Sequence, residues 1–500
     1  MTYTYLALSI YFILMLAIGV YAAKKSTSNL SDYMLGGRQV SPQVTALSAG
    51  ASDMSGWMLM GLPGAMFVTG FNTMWIALGL LIGAWANYKL VAPKLRIYTE
   101  KANDALTLPD FFSKRFDKPN GAIKLVSAVV IVVFFTLYTS AGLVAGGKLF
   151  VSAFDLPYEL GIAVTVCVVV AYTLLGGFLA VSLTDFVQGS IMFVALVLVP
   201  YVAFSYFDSA SSMMDYSGSV IPSFSQSFES LTLLTLVSSM AWGLGYFGQP
   251  HIVVRFMAIR SVADISTARR IGISWMTVTI IGALATGLTG VAYVKKFNVT
   301  LSDPEVIFVF FSQVLFHPLV SGFLLAAILA AVMSTISSQL LVSSSSLTDD
   351  ILKGYSKKTL SQSSLVKIGR VCVVVVAFVA SLIALNPNSS ILSIVSNAWA
   401  GFGAAFGPLI LFSLFWARIT YQGALAGIIG GAVTVLFWVY VPVLADGSSL
   451  STVIYEIVPG FMISSLLIWI VSHLTERPDE NVMNLYHRVQ NKYQEAACVS

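Results

Sequence analysis

Thirteen apolar runs, most joined by short polar connections, follow one another along the chain. Their approximate positions are 5–23, 41–70, 75–91, 125–147, 160–183, 186–207, 231–254, 271–294, 319–347, 371–385, 391–416, 424–444 and 458–474. Each has the length and apolar character of a membrane-crossing helix, so the chain reads as an all-α polytopic membrane protein with 13 transmembrane helices. Hydrophobic residues make up 57% of it and charged residues 10%, at a mean hydropathy of +0.84. Lipid is therefore its main solvent.

Basic residues give the expected orientation, because Lys and Arg are retained in cytoplasmic loops. With the N-terminus outside, 24 of the 27 basic residues fall on the cytoplasmic side, leaving Lys148, Lys295 and Lys296 outside. The expected arrangement is N-terminus outside and C-terminus cytoplasmic, in a multi-pass cell membrane protein. Because the net charge of +4 follows this topology, it marks no nucleic-acid surface. The first run has no basic residues before it and no small-residue cleavage site after it, so it reads as a retained span. Cys167 and Cys372 lie in apolar runs and Cys498 in the polar tail, with neither a pairing nor a metal spacing among them.

The second run, which contains ALSAGASDMSGWMLMGLPGA, lacks Lys, Arg, Glu and His yet carries Asp53 near its middle. A carboxylate in hydrocarbon is costly and faces a partner or a watery cavity. Gly50, Ser52, Ser55 and Gly56 flank it. Small and hydroxyl residues so close together weaken a regular helix, and a broken helix at mid-membrane exposes backbone groups able to hold an ion or a carboxylate. The competing reading is a small-residue packing face with Asp53 hydrogen-bonded to a neighbour.

The seventh run holds a second such interruption, Trp242-Gly243-Leu244-Gly245-Tyr246-Phe247-Gly248-Gln249-Pro250. The two interrupted runs are five apart, and a repeat with an odd number of spans places its second copy upside down. Runs 2–6 and 7–11 then form an inverted repeat with a midplane site. On this reading the chain comprises a first helix and loop (1–40), two five-helix units (41–210 and 228–418), two peripheral helices (419–475) and a tail (476–500). An outer loop, Ser302-Asp303-Pro304-Glu305, reads as a capping box opening a short surface helix, either gate cover or interfacial packing.

In the ninth run, Ala331, Ser334 and Thr335 stand at i, i+3 and i+4 and present neutral oxygens on one helix face. Such oxygens suit a weakly held hard cation. Hydroxyls in membrane helices also bond their own carbonyls or join helices. Trp242 and Tyr246, four apart, would share a face able to enclose a small ring and present π-density to an ammonium, or else serve as ordinary packing.

LGGR (35–38), SAGASDMSGW, LTLPDFF, YTLLGGFLAVSLTD, MAWGLGYFGQPHIVVRFMA, ILAAVMSTISSQLL and NAWAGFGAAFGP together resemble the sodium/solute symporter family, and within it the proline branch. The resemblance covers nearly the whole chain. It implies a leucine-transporter-like fold of 5+5 inverted helices and import of L-proline with sodium by alternating access. It also implies a sodium site from backbone oxygens of Ala51 and Met54 with the Ala331 carbonyl and the Ser334 and Thr335 hydroxyls. By the same pattern Asp53 is needed for coupling, whether as a direct ligand or through its negative potential. Ser55, Gly56, Trp242, Tyr246, Pro250 and, in addition, Tyr138 match solute-site positions. Arg38 and Asp185 match sensitive positions whose roles the residues do not explain. A carrier of the same fold for pantothenate or a short carboxylic acid is the alternative. His251, His317, His473 and His487 are scattered without a nucleophile partner, which points away from an enzyme. No span carries the repeated charge of a pore.

Overall fold

The computed structural model of the protein describes residues 2–25, 30–118, 121–220, 231–352, 361–387 and 390–499. Among them the structure is helical, with only the isolated bridges Val40–Ile259 and Pro442–Ser449. In chain order the helices are α1 (Thr2–Lys25), α2 (Leu30–Leu35), α3 (Pro42–Asp53), α4 (Leu62–Thr69), α5 (Thr73–Ala86), α6 (Ala92–Lys101), α7 (Leu108–Arg115), α8 (Ala122–Phe154), α9 (Tyr158–Phe204) and α10 (Ala210–Val220). They continue with α11 (Leu233–Met240), α12 (Pro250–Ala258), α13 (Asp264–Phe297), α14 (Ile307–Val314), α15 (Pro318–Ser345), α16 (Gln362–Ile383), α17 (Ile391–Phe415), α18 (Tyr421–Tyr440), α19 (Ile457–Leu474) and α20 (Glu480–Val499).

Eleven described stretches are long and apolar enough to cross a membrane. The expected runs that stand outside the eleven as separate stretches are the two interrupted ones. α3 stops at Asp53 and the chain resumes through a π turn at Trp57–Gly61 into α4. α11 passes into a 3₁₀ stretch, Ala241–Phe247, and resumes as α12 behind Pro250. Proline placement accounts for much of this. Pro63 and Pro93 each lack an N–H and crowd the carbonyl four residues earlier, and each follows a π turn, Trp57–Gly61 and Asn87–Val91, that widens the helix to accommodate it.

Some expected boundaries move. Runs 5 and 6, expected to divide near residues 183–186, divide earlier, at Gly177 (φ 56, ψ −146), which breaks α9 into two crossing stretches, Tyr158–Leu175 and Gly177–Phe204. A side chain there would be strained by this φ and would meet Tyr33 Cδ2 at 2.6 Å. Run 3 continues past residue 91 through α6 to Lys101. In the outer loop Asp303, rather than Ser302, caps the short helix by accepting from Glu305 N at 2.9 Å. Glu305 instead takes Lys148 Nζ at 2.8 Å and the backbone N–H groups of Ile391 and Leu392, both at 3.3 Å. The loop is thereby fastened to the N-terminus of α17, where a carboxylate is favoured.

The most enclosed stretches are Pro318–Leu352 and Ile391–Phe415, whose apolar windows are 83% buried, against 28% for Thr2–Lys24 and Ile457–Leu474. α15 therefore lies at the centre, while α1 and α19 face outward over most of their surface. The tail is helical rather than irregular, and α20 packs on α6, with Lys94 Nζ donating to Gln490 Oε1 at 2.8 Å.

Candidate functional site

α3 begins at Ser41, whose hydroxyl caps it, with Pro42 at its first turn, and ends on Met54 (φ −83, ψ 74). The break brings its last carbonyls to α15. Ser334 Oγ donates to Ala51 O at 2.7 Å and to Ala331 O at 3.0 Å, and Thr335 Oγ1 lies 3.4 and 3.2 Å from the same two carbonyls. Residues 283 and 284 positions apart thus meet in one cluster of four neutral oxygens, all buried. Met54 is also fully buried, with its N–H on Gly50 O and its sulfur accepting from Thr279 Oγ1 of α13 at 3.9 Å.

Asp53 points elsewhere. Its Oδ2 accepts the hydroxyl of Tyr246, and its backbone carbonyl accepts Trp57 Nε1 at 3.0 Å and Tyr138 OH at 3.4 Å. Its Oδ1 has no hydrogen-bond partner among the described residues. Asp53, Asn87, Tyr88 and Tyr246 line a small cavity of about 20 Å³, room for one water molecule. Asn87 was not singled out from sequence, although it is the one amide in the otherwise apolar run 75–86 and the turn that ends it. Its Nδ2 donates to Tyr246 O at 2.8 Å, holding the second interruption against the third run.

The expected solute residues are only partly assembled. Tyr138 and Tyr246 converge on Asp53. Ser55 is buried beside them, its N–H on Asp53 O at 3.0 Å, so this N–H is already committed rather than freed for a carboxylate. Gly56 stands where a Cβ would meet Ala145 Cβ at 2.7 Å and Val332 Cγ2 at 3.0 Å, so its smallness lets the break approach α8 and α15. Trp242 and Tyr246 do not share a face. At three residues per 3₁₀ turn, positions four apart diverge by about 120°. Trp242 stacks on Tyr455 at 5.2 Å, in a chamber between α11, the first turns of α17 and the α18–α19 connection, while Tyr246 meets the edge of Trp399 at 5.1 Å. Pro250 opens α12 and lines a different small cavity, with Phe178 and Leu341.

The two residues whose roles the sequence left open have clear partners. Asp185 Oδ2 accepts from Arg255 Nη2 at 2.8 Å and Ser48 Oγ at 2.7 Å. Arg255 also reaches Ser338 Oγ at 2.6 Å, joining α3, α9, α12 and α15 in one buried network. Arg255, expected from the basic-residue pattern to lie in a cytoplasmic loop, is 2% exposed and belongs to this network. A charge five residues beyond a proline helix start, inside a mainly apolar stretch, was the available signal. Arg38, in the left-handed region (φ 54), donates to Met257 O and Ala105 O at 2.8 Å and so ties the loop before α3 to the end of α12 and to the α6–α7 connection.

Comparison with known proteins bears on this arrangement. The sodium:solute symporter family profile matches residues 33–431. The osmoregulated proline transporter OpuE of Bacillus subtilis is 56% identical over 481 residues, covering 96% of both chains. A sodium/proline symporter of Staphylococcus aureus is 52% identical over 492 residues, covering 98% of this chain and 96% of that one. Among solved structures, a Na+-coupled sialic acid symporter in a substrate-bound outward-open state superposes with a TM-score of 0.79 at 21% identity, covering 96% and 99%. MHP1, a nucleobase-cation-symport-1 transporter in a closed conformation, does so at 0.52 and 13% identity, covering 92% and 100%.

Proposed function

The chain belongs to the sodium:solute symporter family, and on that premise we propose that it imports L-proline together with sodium by alternating access. The observation that carries this reading is the oxygen cluster of Ala51, Ala331, Ser334 and Thr335 at the break in α3. Neutral oxygens from a helix end and two hydroxyls suit a monovalent cation that must be released again. The names of two relatives at 52–56% identity support proline over another small solute.

In this reading sodium binds the cluster and braces the end of α3 against α15. Asp53 then acts beside the ion through its negative potential, since its carboxylate is held by Tyr246 on the far side of the helix break. Proline binds near Tyr246 and Tyr138, with the Asp53 carboxylate next to its ammonium. A water-sized cavity does not admit an amino acid, so the two interrupted helices must part from their neighbours to load it. The Arg255–Asp185 network, which joins both interrupted helices to α9 and α15, is suited to keeping those parts moving together.

Eleven crossing stretches, one of which (Trp57–Lys101) holds the second half of the first interrupted crossing before run 3, together with the two interrupted crossings support a count of 13, with an inverted repeat in which α3–α4 and α11–α12 are corresponding first helices. The loop charges support an outside N-terminus and a cytoplasmic C-terminus, in the cell membrane, with units at 41–210 and 228–418. A cysteine at position 447 should then react with an impermeant thiol reagent in intact cells, and one at 478 should not. The decisive experiment is uptake of radiolabelled proline into proteoliposomes with and without an inward sodium gradient. Sodium-driven, saturable uptake is expected. Uptake indifferent to sodium, or displaced more readily by pantothenate or a short carboxylic acid than by proline, overturns the reading.

A further inference from the structure

The α18–α19 connection, expected to be peripheral, contributes to the chamber beside Trp242. Tyr455 N donates to Ser238 Oγ at 3.2 Å and its hydroxyl donates to Ser396 O at 2.9 Å, so the connection is fastened to both α11 and α17. The chamber has a volume of about 510 Å³ and is lined by hydroxyl residues, Asn397, the stacked Trp242–Tyr455 pair and Glu456. Among the described residues lining it, Glu456 is the one that carries a formal charge. It is 2% exposed, and its Oε1 is sealed from solvent without a hydrogen-bond partner.

A buried carboxylate with an unmatched oxygen is unfavourable unless something completes it. Among the described residues no Lys or Arg lines the chamber to do so. We propose that Glu456 and the Trp242–Tyr455 pair form an outer cation site, the first station for the positively charged part of the cargo: the ammonium of the solute or the sodium ion. A carboxylate beside stacked π-faces is the chemistry that holds a compact monovalent cation, and a single-sign charge in a cleft raises the local concentration of its counter-ion. The site leads inward by contact. Trp242 O accepts Trp399 Nε1 at 2.8 Å, and the Trp399 ring meets Tyr246, whose hydroxyl is on Asp53. A cation thus passes from one carboxylate, along an aromatic wall, to a second.

This inference rests on the symporter reading, and sided kinetics separate the two. Full-length wild type, Glu456→Gln and the double variant Glu456→Gln/Asn397→Asp, which returns a carboxylate to the same chamber, are compared in right-side-out and inside-out vesicles. Proline KM is measured at saturating sodium, and half-saturating sodium at saturating proline. Glu456→Gln should raise one of these by about fivefold from the outer face only, the scale of one partly screened charge contact, and the double variant should recover most of it. A shift in proline KM identifies the ammonium as occupant, and a shift in sodium dependence identifies the ion. If neither moves, if both faces change equally, or if the relocated carboxylate restores nothing, the outer site is refuted while wild-type transport stands. Absence of sodium-driven uptake in the wild type would instead remove the symporter reading itself.

Discussion

Removing a hydroxyl from the oxygen cluster should weaken sodium binding and leave the proline site intact. Ser334 Oγ makes the shorter contacts, 2.7 Å to Ala51 O and 3.0 Å to Ala331 O, and is fully buried. Losing a buried polar partner costs about 1–3 kcal/mol, which at about 1.4 kcal/mol per decade is about 5- to 150-fold in sodium concentration. Ser334→Ala should lie toward the upper end. Thr335→Ala should lie toward the lower end, because the Thr335 contacts are 3.4 and 3.2 Å. Linkage is reciprocal, so apparent proline affinity should fall in both variants at low sodium and return to the wild-type value at saturating sodium. The assay is equilibrium binding of labelled proline across a grid of sodium concentrations, on protein shown to be folded and in the membrane. If excess sodium fails to restore proline binding to Ser334→Ala, the assignment of α15 to the ion site is wrong.

Other outcomes follow from the same geometry. Tyr246→Phe deletes the hydroxyl on Asp53 Oδ2; with Asp53→Asn in a double-mutant cycle of proline binding, the pair should couple by about 1.5–3 kcal/mol, and additive effects would count against a working contact. Gly56→Ala forces a Cβ to within 2.7 Å of Ala145 Cβ and should cost about 1–3 kcal/mol of stability as overpacking, read as a lower Tm in detergent; Ala145→Gly should recover it. Burial raises the Glu456 carboxyl to about 7, its own backbone N–H pulling the other way. Tyr455 is the other titratable residue lining the chamber. The carboxylate is therefore mostly protonated at pH 6 and mostly charged at pH 8, so cargo affinity from the outer face should improve over that interval in wild type and stay level in Glu456→Gln.

Much of this protein was legible in its residues because a bilayer leaves few choices. Apolar runs of crossing length must be helices, so composition and periodicity were enough to expect an all-helical membrane chain. Helix breakers act locally, and the Gly and Pro residues around Asp53 and in 242–250 marked both interruptions before any tertiary contact was known. Hydroxyls three and four residues after Ala331 had to share a face, and they do meet the carbonyl end of α3.

What needed the tertiary structure was everything set by how the interrupted segments pack. Trp242 and Tyr246 part because their segment is 3₁₀, a choice that depends on close approach of its glycines to neighbouring helices, such as Gly243 to Gly83, where a Cβ would sit 2.2 Å from a carbonyl oxygen. Arg255 looked like a loop charge because its partner Asp185 is 70 residues away. Asn87 and Glu456 each sit alone in their stretch of sequence, and only long-range packing gives either a neighbour. Local rules fix where the chain bends, since they act within a few residues. Which side chains then face one another across a bend depends on crossing angles and contacts between distant helices, which no local pattern encodes.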